Sequence, residues 1–194
     1  MCGIVGYIGD KDCFPILIKG LQRLEYRGYD SAGVAVFDGK DAIQVRKKKG
    51  KVEDLLAFVG DDLPTGSMGI GHTRWATHGP PNDVNAHPHT ARFGRLAMIH
   101  NGIIENYESL RASLEANGHA FVSDTDTEVL IHLIDEVQSR TNTSITDAVQ
   151  MALKEVEGAY AIAIIDANEP DLLIAARKSS PLVIGVGEEN EFYI

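Results

Sequence analysis

Met1-Cys2-Gly3-Ile4-Val5-Gly6 opens the chain, and residues 4–8 read as a buried strand closed by Gly9-Asp10. Two readings stand at Cys2. As a small apolar side chain it simply leads into that strand, since free cysteines are often buried. As the first residue, after removal of Met1, it carries a thiol and a free α-amine together, with reference pKa values of about 8.5 and about 7.7–8.0. An N-terminal amine acting as base for its own side chain is a known form of activated nucleophile. Position alone does not separate the two, so the rest of the sequence decides.

Outward from this start, Phe14, Leu17, Ile18, Leu21 and Leu24 recur at helical spacing and predict a helix over 13–24, with Pro15 tolerated in its first turn. A strand over 34–37 turns at Asp38-Gly39 into a second over 43–47. A brief helix follows over 52–58, then a glycine-rich strand over 69–73, where missing side chains admit a close neighbour. Residues 74–95 are polar and aperiodic and read as one long loop of the kind that is often functional. After a strand over 96–99, a helix over 106–116 stops at Asn117-Gly118. Asp124-Thr125-Asp126-Thr127 opens another helix, whose apolar face is Val129, Leu130, Leu133, Ile134 and Val137. Ser144-Ile145-Thr146-Asp147 caps a third through Val156. Gly158 breaks it, and strands follow over 160–165, 172–175, 182–186 and 192–194. Strands at both ends with helices grouped between them predict an α+β domain with antiparallel sheets.

A chain of 194 residues suits one domain, and its 44% hydrophobic content is enough for a sizeable core. The formal net charge of -10 argues against nucleic-acid or anionic-membrane partners. The basic run Arg46-Lys47-Lys48-Lys49-Gly50-Lys51 is expected to be a solvated turn. Two cysteines, Cys2 and Cys13, make no disulfide framework, which points to a reducing cytoplasm. No signal-peptide pattern is present, and the longest apolar run, 159–165, is too short to span a bilayer. Because the sequence stops within an apparent strand, it is expected to be part of a longer protein.

Three polar clusters are not required by ordinary packing. They are Tyr26-Arg27-Gly28-Tyr29-Asp30-Ser31-Ala32-Gly33; Gly71-His72-Thr73-Arg74-Trp75-Ala76-Thr77-His78-Gly79, continuing to Asn85-Ala86-His87-Pro88-His89; and His100-Asn101-Gly102, with Ser123-Asp124-Thr125-Asp126 beyond it. Together with Cys2 they resemble the glutaminase domain of the glucosamine-6-phosphate synthase family, class II glutamine amidotransferases of the N-terminal-nucleophile hydrolase group. The resemblance covers essentially the whole chain, including Ser179 to Gly185. Phosphoribosyl-pyrophosphate amidotransferases share the N-terminal cysteine and the Asn-Gly pair, but the run from Arg74 to Gly79 looks like the sugar-phosphate enzymes.

The resemblance implies a four-layer αββα sandwich, two antiparallel sheets with helices on both outer faces. It implies that residues 1–194 are a glutaminase domain acting on L-glutamine, joined in a longer protein to a C-terminal isomerase part and able to form a homodimer through it. Cys2 is then the nucleophile, and the Asn101 side chain with the Gly102 N–H forms the oxyanion site. Arg74 holds the substrate carboxylate with Thr77 and His78 beside it, Asp126 holds the ammonium, and Trp75 belongs to a lid in the long loop. A guanidinium grips a carboxylate through paired hydrogen bonds that lysine cannot copy. No cofactor is called for.

Blander readings stand beside these. Alone, Arg74 or Asp126 is a surface or helix-start charge, and Asn101-Gly102 a turn. Arg27 and Asp30 read as a buried polar pair steadying the loop near Cys2, and Cys13 as packing. His72, His78, His87, His89 and His100 raise the possibility of a metal, but no Cys-pair or His-Glu helix spacing accompanies them, and none is expected. A glutamine-binding module without turnover is the non-enzymatic alternative.

Overall fold

Along β2 (Ser31–Phe37), Ala32, Val34 and Val36 point to one side and Ala35 and Phe37 to the other, and all five are buried. Successive strand side chains face opposite ways, so such a strand lies between two layers. β6 (Leu96–Ile104) and β7 (Gly158–Asp166) divide in the same manner, with Met98 and Ile162 on one face and Ile99 and Ala163 on the other. The computed structural model describes residues 2–40, 42–188 and 190–194, so the expected removal of Met1 concerns a residue outside the described ones.

These strands build two sheets in which all pairings between strands are antiparallel. The six-stranded sheet adds β1 (Gly3–Ile8), β3 (Gln44–Lys49), β4 (Met68–Arg74), β9 (Gly185–Val186) and β10 (Phe192–Tyr193), in the order β3-β2-β4-β1-β10-β9. The four-stranded sheet adds β5 (His89–Ala91) and β8 (Leu173–Lys178), in the order β5-β6-β7-β8. Helices α1 (Cys13–Leu24) and α2 (Val52–Val59) cover the outer face of the larger sheet, through Leu17, Leu21 and Leu55 against Val5, Tyr7 and Val34. Helices α3 (Tyr107–Ala116), α4 (Asp126–Thr141) and α5 (Ile145–Ala152) cover the smaller sheet, with Leu130, Ile134 and Val149 against Met98 and Ile164. Phe37, Met68 and Ile70 meet Ala97, Ile99 and Ile165 where the sheets face each other. The three apolar clusters are the three seams of an αββα sandwich. Truncating Leu17 or Ile134, both fully buried, to alanine is expected to cost about 2–5 kcal/mol.

The glycine-rich strand serves α1. A Cβ on Gly69 would sit 2.8 Å from Leu17 Cδ1 and 2.9 Å from Cys13 Sγ. The glycine therefore lets a helix, rather than a ligand, approach β4 closely.

Several expectations change. The basic run is mostly strand β3, not a solvated turn. Lys47 is half-buried, and its Nζ donates to the carbonyls of Val84, Ala86 and Pro88 at 3.0, 2.8 and 3.3 Å. Three carbonyl acceptors replace the water an ammonium would otherwise hold. The long loop contains β5, and Lys48 pairs with Asp83 at 2.8 Å. The third long helix ends at Ala152, where i→i+3 bonds from Lys154 to Met151 and from Glu155 to Ala152 tighten the chain into turns. The strand over 182–186 shrinks to Gly185–Val186. Among the described residues, no helix is long and apolar enough to cross a membrane.

Candidate active site

The two sheets end together at a cleft of about 800 Å³. Cys2 enters it ahead of β1, Arg74 from the end of β4, Asn101 and Gly102 from β6, and Asp126 from the first turn of α4. Trp75, Thr77 and His78 come from the segment after β4. All eight residues singled out in the sequence line this one cleft. They are brought together because β1 lies beside β4 in one sheet while β6 faces them from the other.

Cys2 is half-buried. Burial pushes its thiol pKa up, and the Trp75 N–H, donating to Sγ at 3.2 Å, works against that by favouring the thiolate. The net shift is upward, so the resting thiol keeps its proton and needs a base before it can attack.

Asn101 Nδ2 donates to the Cys2 carbonyl at 3.0 Å. Gly102 has φ +135°, and a Cβ there would sit 2.0 Å from the Ala159 carbonyl oxygen, so only glycine fits. The pair lies within β6, whose pairing with β7 continues to Ile104; it is not a turn.

Arg74 is buried. Its Nη2 donates to the carbonyl of His78, and to that of Gly79 at 3.5 Å, whereas Nη1 is buried without a partner among the described residues. Asp126 is 4% exposed. Its Oδ2 accepts the Ile104 N–H at 2.9 Å, leaving Oδ1 facing His78 Nδ1 at 3.8 Å and His100 Nδ1 at 4.0 Å. The N-cap at Thr125, whose hydroxyl accepts the Glu128 N–H at 3.2 Å, fixes where α4 starts and hence where Asp126 points.

Arg27 and Asp30 do not pair. Arg27 Nε donates to the Tyr26 hydroxyl at 3.0 Å, while the Asp30 carboxylate accepts the Ala76 N–H and its backbone N–H donates to the Arg74 carbonyl at 3.1 Å. Asp30 is thus a latch on the segment carrying Trp75. Trp75 itself is half exposed and packs edge-on against Tyr29 at 5.5 Å. Within the long loop where a lid is expected, residues 83–89 are held down. Lys47 holds three of their carbonyls, and Asn85 and Asp124 exchange hydrogen bonds of 3.2 and 3.0 Å.

Sequence reasoning gave no role to a buried set behind the cleft. His72 Nε2 lies 2.8 Å from Asn101 Oδ1, and Thr127 Oγ1 lies 2.8 Å from His87 Nε2 and 3.0 Å from His100 Nδ1. Burial pushes the pKa values of His72, His87, His89 and His100 down, that of His72 to about 3, so all four are neutral near pH 7. A cluster of histidines in a sequence looks like a metal site. Here each of these four rings sets one nitrogen against a hydroxyl or amide group, while Nδ1 of His72 and His87 and Nε2 of His100 have no partner among the described residues. Among the described residues no three metal-ligating side chains converge.

The family described as glutamine amidotransferase domain matches residues 72–194. The chain belongs to that family. A curated glutamine–fructose-6-phosphate aminotransferase (isomerizing) from Bacteroides thetaiotaomicron is 58% identical over 100% of this chain and 31% of its own length. The enzyme of the same name from Thermococcus kodakarensis is 50% identical over 99% and 32%. This amidotransferase domain thus spans about a third of the curated relatives it matches. Among solved structures, glutamine phosphoribosylpyrophosphate amidotransferase from B. subtilis is 28% identical with a TM-score of 0.85, over 100% of this chain and 41% of that one. A class-II glutamine aminotransferase domain protein from Silicibacter pomeroyi, 17% identical with a TM-score of 0.64 over 98% and 87%, shares the fold.

Proposed function

We propose that residues 1–194 form the glutaminase domain of a longer enzyme and hydrolyse L-glutamine to L-glutamate and ammonia through Cys2. One observation carries the reading. Arg74 Nη1, a buried donor, and Asp126 Oδ1, both without a close hydrogen bond among the described residues, belong to side chains lining the same cleft as Cys2. Those two groups complement the α-carboxylate and α-ammonium of a free amino acid, and an unmatched buried charge is costly until a ligand matches it.

With Met1 removed, the Cys2 α-amine takes the thiol proton as sulfur attacks the glutamine side-chain carbonyl carbon. An amide nitrogen has two N–H donors, so the Asn101 bond to the Cys2 carbonyl leaves one for the oxyanion, beside the Gly102 N–H. The tetrahedral intermediate collapses by breaking its C–N bond, the amine returns its proton to the leaving ammonia, and a glutamyl thioester remains. Water then hydrolyses the thioester to glutamate and restores the thiol. Thr77 and His78 border the carboxylate side, and Trp75 shields the cleft mouth.

The 58% identity to a glutamine–fructose-6-phosphate aminotransferase, against 28% to the phosphoribosylpyrophosphate enzyme, favours fructose-6-phosphate as the acceptor of the ammonia. That step would belong to an isomerase part beyond these residues, which would also carry any homodimer contact. Two free thiols fit a cytoplasmic location. The test is glutamate and ammonia released in equal amounts from L-glutamine by the purified chain, and lost on Cys2→Ala. Turnover that survives Cys2→Ala would contradict the reading.

A further inference from the structure

His72 stands on β4 opposite Ile4 of β1 and Gly33 of β2. It follows Met68 and Ile70 in the alternation that faces the second sheet, at the cleft end of the sheet interface. Its ring is 1% exposed and stacks on His87 at 4.2 Å with an interplanar angle of 23°. Nε2 lies 3.1 Å from the His100 carbonyl oxygen and 2.8 Å from the Asn101 side chain.

The protonation follows from these partners. A backbone carbonyl only accepts, so Nε2 must carry hydrogen. The Asn101 atom facing that N–H must then be its oxygen, which leaves Nδ2 toward Cys2, where it meets the carbonyl at 3.0 Å. A side-chain amide can otherwise be turned over with little change in shape. With hydrogen on Nδ1 instead, a bare Nε2 would face two acceptors, and Asn101 would be drawn to turn its NH₂ toward His72 and away from the Cys2 carbonyl. Among the described residues His72 Nδ1 is buried without a partner, so no acceptor among them favours that form. Burial, which lowers the His72 pKa to about 3, also disfavours a second proton.

We propose that His72 is a positioning residue: with its single proton on Nε2 it fixes the orientation of the Asn101 amide and so aims the oxyanion donor at Cys2. The inference rests on the glutaminase reading above.

Two substitutions separate this role from packing. Glutamine places an N–H near the former Nε2, whereas asparagine reaches only as far as Nδ1. For glutamine hydrolysis, His72→Asn should lower kcat by about 10²-fold, the cost of one misplaced oxyanion donor, with KM changed by no more than about twofold. His72→Gln should recover kcat to within about tenfold of wild type. In an Asn101→Ala background, His72→Asn should cost almost nothing further, because the group it positions is gone. A His72→Asn enzyme with wild-type kcat, or one whose loss adds in full to that of Asn101→Ala, would overturn the proposal. Should His72→Asn fail to fold, long-range ¹H–¹⁵N correlation on the wild-type chain decides: protonated Nε2 with bare Nδ1 supports it, and the Nδ1–H form overturns it. A wild-type chain that does not hydrolyse glutamine would instead sink the reading beneath.

Discussion

The Asn101 side-chain amide meets the backbone carbonyl of Cys2 at 3.0 Å, joining residues 99 apart in sequence across the two facing sheets. This contact ties the nucleophile's backbone to the proposed oxyanion donor, so the two reactive parts are set by sheet packing rather than by a flexible loop. Precision of this kind is what preorganised charge stabilisation needs.

Asp126→Asn should raise KM for glutamine by about 10²-fold, since the exchange removes the charge that balances a buried ammonium. Asparagine still offers an oxygen to the Ile104 N–H, so thermal unfolding should shift little. Steady-state kinetics beside a melting curve checks this, and an unchanged KM would remove Asp126 from the site.

Gly102→Ala should destabilise the fold by about 1–3 kcal/mol, because alanine is strained at φ +135° and its Cβ meets the Ala159 carbonyl. The β6 backbone must shift there to relieve that contact and will carry the Gly102 N–H with it, so kcat should fall too. Urea unfolding with glutaminase assays tests the pair of effects. Normal stability with normal kcat would mean this backbone is not constrained as described.

Acid should unfold the domain early. His72, His87, His89 and His100 are neutral in the native state because burial lowers each pKa, while in the unfolded chain they titrate near the ordinary value of about 6.5. The native state therefore keeps its full stability above about pH 6.5. It loses stability as pH falls toward about 3, since the unfolded chain binds the extra protons. Each ring that stays neutral in the native state while charged in the unfolded chain adds about 1.4 kcal/mol per pH unit to the slope. Denaturant unfolding between pH 7 and 5 measures it, and a flat profile would mean these rings are not buried neutral.

Where side chains obey hydropathy, the fold was legible in the sequence. The apolar strand expected over 160–165 and the stripe from Val129 to Val137 lie where they were expected, within β7 and α4. Hidden elements are those whose polar residues are buried through partners. His89 sits in a strand with its ring 3.0 Å from the Thr125 hydroxyl, and Lys47 lies under a loop held by three carbonyls. Both carry the residue types of exposed loops, and only the matching acceptors elsewhere make burial possible. The site was legible through its resemblance to a family. No spacing rule brings Cys2, Arg74, Asn101 and Asp126 to one cleft. The His72 bond to Asn101 could not be read at all, because it depends on which strands face each other.

The central claim is that Cys2 is the nucleophile of a glutamine site, and the most direct test is covalent. The purified chain, incubated with 6-diazo-5-oxo-norleucine, should gain the mass of one label, and peptide mapping should place it on Cys2 with excess glutamine slowing the reaction. Cys13, buried at the start of α1 with its thiol pushed up to about 12, should stay unmodified. A label on Cys13, or none on a chain with Met1 removed, would contradict the account.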